Sequence, residues 1–113
     1  MRTIKATVVR LQRAAASSPD LLGRDWPHEP ANPLAGHCYI VCEALASLYG
    51  NLKPCVIRHG KGTHWFLRRG ERVIDPTAQQ FPEPVPYHLG RGSGFLTSNP
   101  SKRARELLRR AGF

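Results

Sequence analysis

Three side chains in this sequence have the types and order of a thiol-based nucleophilic centre. They are Cys38 within Gly36-His37-Cys38-Tyr39, His64 within Thr63-His64-Trp65, and Asp75 within Val73-Ile74-Asp75-Pro76-Thr77. A thiol attacks as its thiolate, a form favoured by a helix N-terminus and by a neighbouring imidazolium. An imidazole can protonate the leaving group, and a carboxylate can hold that ring in one tautomer. The expected chemistry is attack of Cys38 on a carbonyl, with His64 as acid/base and Asp75 orienting it. Backbone N–H groups at a helix start, that of Cys38 included, are expected to bind the developing oxyanion. Cys42, one helical turn further on, and Cys55, in the middle of a strand pattern, read as core residues.

The elements that must position these residues follow from the apolar periodicity. Ile4, Val8, Leu11 and Ala15 recur at helical spacing, which predicts a helix over 3–16 ended by Ser17-Ser18-Pro19. Residues 17–35 are rich in turn formers and read as a long connection anchored by Trp26. A second, nearly uncharged helix over 37–49 carries Cys38 at its first turn and stops at Gly50-Asn51. Strands are predicted over 54–59, 63–69 and 72–75, the last two joined by a two-residue turn at Arg69-Gly70. That register sets Arg68 opposite Glu71 and His64 directly opposite Asp75, on a face shared with Phe66 and Val73. Trp65, Leu67 and Ile74 take the other face, so both faces need cover. The Cys38 helix is expected on the His64 face. Residues 76–97 read as loop, and a last helix is predicted from Asn99 as N-cap and Pro100 to Gly112. The whole, 1–113, reads as a single α+β domain: a central Cys-bearing helix on a small antiparallel sheet.

The region 32–81 resembles the papain-like and transglutaminase-like cysteine-enzyme superfamily, which includes transglutaminases, arylamine N-acetyltransferases and small peptidases. The resemblance rests on Cys38, His64 and Asp75 in that order, and on Val73-Ile74-Asp75-Pro76-Thr77 as the end of the Asp strand. It implies a papain-like or transglutaminase-like core and a Cys-His-Asp triad. It also implies a hydrolase or acyltransferase acting on an amide or thioester carbonyl through an acyl-enzyme: peptidase, amidase or deamidase with water as acceptor, transferase with an amine. Papain-like members place an oxyanion-hole amide six residues before the Cys; that position here is Asn32, not Gln, and Asn32 is the oxyanion-hole candidate. His37, Trp65 and Tyr87 are candidate substrate-binding residues. No cofactor is required. The alternative is a catalytically inactive binding protein on the same fold.

Composition bounds the partners. Seventeen Lys and Arg against eight acidic residues leave a formal charge of +9. Such a surface attracts anions, whether nucleic acid or an acidic protein. The basic face of the last helix, with Lys102, Arg103, Arg105, Arg109 and Arg110, is the candidate handle for nucleic acid or an acidic partner. Three cysteines without framework spacing argue for reduced thiols. With no apolar run long enough to span a bilayer and no secretory pattern, the expected location is cytoplasmic, away from membranes. Cys38 and Cys42 at i, i+4 with His37 and His64 could be drawn as a zinc site, but no Cys-x-x-Cys or His-x-x-x-His pair supports it. The Gly90-Arg91-Gly92-Ser93-Gly94 run reads as a turn-rich lid or substrate loop.

Overall fold

Apolar side chains one turn apart build the first helix, α1 (Ile4–Ala16), and Thr3 starts it: its hydroxyl accepts the Ala6 N–H at 3.1 Å. The computed structural model describes residues 3–23, 26–60, 62–96 and 100–113. The second helix, α2 (Cys38–Leu48), buries Ile40, Val41, Cys42, Ala44 and Leu45 and so runs through the core. It also buries Glu43. That carboxylate accepts the Tyr39 hydroxyl at 3.2 Å and the Ser101 backbone N–H at 3.1 Å, which ties α2 to the start of the last helix. A buried charge supplied with such partners avoids most of its desolvation cost.

Four antiparallel strands follow: β1 (Lys53–His59), β2 (Gly62–Arg69), β3 (Arg72–Ile74) and β4 (Arg91–Gly92), in the order β3-β2-β1-β4. β4 lies inside the stretch expected to be loop. It pairs Gly92 with Cys55 and Arg91 with Val56, so the glycine run supplies an edge strand instead of a lid. Gly90 allows this approach, because a Cβ there would sit 2.6 Å from the Phe66 ring.

The β2–β3 hairpin corrects the expected register. Arg69 pairs with Arg72 and Leu67 with Ile74, so the turn residues are Gly70 and Glu71. Gly70 has φ +59 and therefore takes the first turn position, where positive φ is needed. His64 and Asp75 are thus not directly opposite; Phe66 occupies the level next to Asp75. Moving the turn by one residue changes each pairing by two, and the strand period is two, so the faces survive. Phe66 and Val73 pack together with Cys55, Ile57, Val85, Phe81 and Tyr87, and the 3-10 turns at Ala78–Gln80 and Tyr87–Leu89 cover that side. Trp65, Leu67 and Ile74 join α1, α2 and the last helix in the larger core.

A second correction concerns α2. It packs on the Trp65–Leu67 face, not on the His64 face. The last helix, α3 (Lys102–Arg110), starts later than expected. Ser101 is its N-cap, accepting the Ala104 N–H at 3.2 Å, and the expected cap Asn99 lies outside the described residues. Ala104 and Leu107 dock it into the core. Among the described residues no helix is long and apolar enough to cross a membrane. The result is an α+β domain in which the Cys-bearing helix packs against a four-stranded antiparallel sheet.

Candidate active site

The N-terminus of α2 and the beginning of β2 meet at one end of the sheet, beside the 26–35 connection. A cavity of about 160 Å³ opens there, and Cys38, Thr63, His64, Trp26, Asn32 and Phe81 are among the residues that line it. Although α2 covers the opposite face, its first residue, Cys38, lines the same cavity as His64. Cys38 is half-buried, whereas Cys42 and Cys55 are buried. Burial pushes the Cys42 thiol well up, helped by Cys38 and Asp75, and burial raises Cys55 as well. Both act as apolar core residues.

His64 is fixed on several sides. Its Nε2 lies 2.7 Å from Asp75 Oδ2, with the two side chains 1% and 3% exposed. Phe81 meets the ring edge-on at 4.7 Å and Phe66 stacks at 6.4 Å. Burial alone would lower the imidazole, but Asp75 and then Cys38 outweigh it and raise His64 from 6.5 to about 9. Nδ1 is buried with no hydrogen-bond partner among the described residues, and Cys38 lines the same cavity as His64. The diagonal placement on one sheet face therefore suffices for the His–carboxylate contact that direct opposition had been expected to make.

Asp75 is itself held. Oδ2 accepts the Tyr87 hydroxyl at 2.7 Å and Oδ1 accepts the Thr77 N–H at 3.2 Å. Burial and the Asp75 carboxylate push the Tyr87 phenol up, so it stays a donor. Tyr87, expected to touch substrate, is not among the residues lining the cavity; it sits behind Asp75 and orients it. Trp65 is likewise outside the cavity lining. It packs with Tyr39 at 4.8 Å and Phe95 at 5.9 Å on the opposite face. His37 is the N-cap residue of α2, fully buried, with neither ring nitrogen hydrogen-bonded among the described residues. Burial, then the positive charges of Arg103 and His28, lower it to about 4, so it is a neutral core group instead of a cavity wall.

Asn32 does line the cavity with Cys38, but its Nδ2 donates to the Gln80 carbonyl at 2.7 Å. A wall residue that sequence reasoning did not assign to the site is Trp26. Its Nε1 is buried without a partner among the described residues, and the indole forms part of the cavity wall. Gly36, at φ +85, makes room for it: a Cβ there would be 2.2 Å from the Trp26 ring. The sequence signal was the Gly36 that precedes the Cys helix, but the side chain it serves lies ten residues upstream. The first-turn amides of α2, that of Cys38 among them, have no intrahelical acceptor, and His37 gives no side-chain cap.

Among the described residues no three His, Cys, Asp or Glu side chains are grouped to hold a metal ion. On α3, Arg103 donates to the Leu21 carbonyl, Arg110 pairs with Asp20 and Arg109 with Glu106. Three of the five cations expected to form a handle are thus engaged within the chain, while Lys102 and Arg105 are exposed. No family model, curated protein or solved structure matches this chain.

Proposed function

We propose that this protein is a cysteine-dependent hydrolase or acyltransferase with a papain-like or transglutaminase-like core, acting on an amide or thioester bond. The observation that carries this is the buried His64–Asp75 pair at the wall of the cavity onto which Cys38 opens. Cys38 Sγ attacks the carbonyl carbon, and the carbonyl π electrons move to oxygen. The first-turn amides of α2 are the donors offered to that oxyanion. His64, held protonated by Asp75, gives its proton to the departing nitrogen or sulfur as the C–N or C–S bond breaks. The acyl group is left on Cys38. His64 then takes a proton from water or an amine, which attacks the thioester carbonyl; the C–S bond breaks and the Cys38 thiolate is released beside the protonated His64. Asp75 keeps the ring in place throughout, and Tyr87 and Thr77 keep Asp75 in place.

The test is the alkylation rate of each cysteine by iodoacetamide at pH 6.5, read by mass spectrometry, in the native protein and in His64→Ala. A companion measurement asks for a Cys38 acyl adduct from an activated thioester. Cys38 is expected to label well ahead of Cys42 and Cys55, to slow at least tenfold in His64→Ala, and to form the adduct. Equal Cys38 rates in both proteins together with no adduct would refute the proposal.

A further inference from the structure

Among the described residues, the sheet edge beside the candidate site is incompletely covered. β4 pairs with β1 only at Cys55 and Val56, and the Ser93 N–H bonds the Pro54 carbonyl at 3.0 Å. Backbone groups facing one neighbour alternate along a strand. The N–H and C=O of Arg58 therefore point to the same side as those of Val56, past the end of β4. A groove of about 510 Å³ lies there, lined by Val56, Ile57, Arg58, Thr63, Leu89 and Arg91. Leu89 is 70% exposed. Arg58 and Arg91 are exposed too, and among the described residues neither is paired with a carboxylate. Thr63 lines both this groove and the Cys38 cavity, so the two are neighbours around the start of β2.

We infer that this edge docks the substrate, an extended polypeptide segment carrying carboxylate side chains. The inference rests on Cys38 being the nucleophile of the proposed reaction. The segment adds as a strand beside Arg58, whose N–H and C=O supply the main-chain bonds of strand addition. Its carboxylates meet Arg58 and Arg91, and an apolar side chain lies against Leu89 and Val56. The chain continues past Thr63, which brings an amide carbonyl to Cys38. Arginines on an open edge also discourage self-pairing, and that role alone would require no main-chain recognition. A nucleic acid would use the same charges but could not use the strand edge.

Binding is read by fluorescence anisotropy on the full chain carrying Cys38→Ser, so that no turnover intervenes. The probe is a fluorescein-labelled hexapeptide of alternating Glu and Val. It is compared with a Lys/Val analogue, with a Glu/Val peptide methylated at alternate backbone nitrogens, and with a single-stranded oligonucleotide as competitor. The Glu/Val peptide is expected to bind. The Lys/Val and N-methylated peptides should each bind at least tenfold more weakly, as should the Glu/Val peptide to Arg58→Glu/Arg91→Glu. Iodoacetamide labelling of Cys38 in the arginine variant, made with its thiol intact, should stay at the native rate, which shows that the fold and site survive. Equal binding of the N-methylated peptide would overturn strand addition. Equal binding of the Lys/Val peptide, or tighter binding of the oligonucleotide than of any peptide, would overturn the acidic polypeptide. If the peptide results hold but Cys38 fails the alkylation test, the groove stands and the chemistry falls; the reverse removes the groove alone.

Discussion

Replacing Asp75 by Asn tests the centre most sharply, because it removes a charge while keeping a shape. An Asn carbonyl in the place of Oδ2 can still accept from His64 Nε2 and Tyr87, and only the longer 3.2 Å contact to the Thr77 N–H is lost. The rise of His64 from 6.5 to about 9 corresponds to on the order of 3 kcal/mol favouring the imidazolium. Burial opposes that rise, so Asp75 and Cys38 supply more than the net effect. Without the carboxylate, His64 should titrate at least two units lower. Long-range nitrogen–proton NMR of the ring between pH 5 and 10, on the native protein and Asp75→Asn, measures this directly. A stability measurement follows from the same shift. Because the folded state binds the His64 proton more tightly, this contribution is complete below about pH 6.5 and is lost as pH rises through about 9. Urea unfolding should therefore show a midpoint that falls across that window. The comparison is made in a Cys38→Ser background, so that the thiol's own proton does not enter the balance; the shift is smaller there by the thiol's share. With Asp75→Asn added, the fall should flatten. A His64 titration within half a unit of native in Asp75→Asn would refute the reasoning, since the charge would then not be what holds the proton.

Three further perturbations follow. His37 is lowered to about 4, so the stability it confers is present above about pH 6.5 and lost as pH falls through 4. His37→Phe should move the acid-unfolding midpoint lower, as read by circular dichroism against pH. Gly36→Ala should destabilise by at least about 1–2 kcal/mol from the left-handed backbone alone. It must also displace Trp26, so tryptophan fluorescence should change along with the urea midpoint. Tyr87→Phe removes a hydrogen bond to Asp75 worth about 0.5–1.5 kcal/mol in unfolding experiments. With Oδ2 left to His64 and only the Thr77 N–H on Oδ1, the ring's titration should rise slightly by NMR; a fall would show that Tyr87 acts through something other than Asp75.

The sequence by itself determined the three α-helices, the first three strands and the faces of the hairpin, because these depend on local periods of 3.6 and 2. It also brought His64 and Asp75 to one face of a hairpin, and that result tolerated an error in the turn. Gly70 served the first turn position instead of the second, yet parity kept both residues on the same side. Tertiary structure decided everything that depends on which surfaces meet. α2 chose the Trp65–Leu67 face, where most of the apolar side chains of the three helices pool, and Cys38 and His64 share only the lining of one cavity. The same packing buried His37, turned Trp65 to the far face and sent Tyr87 behind Asp75. It also recruited Arg91–Gly92 as an edge strand and seated Trp26 over Gly36. No local pattern encodes such contacts, because they join residues far apart in the chain and are fixed only when the whole core closes.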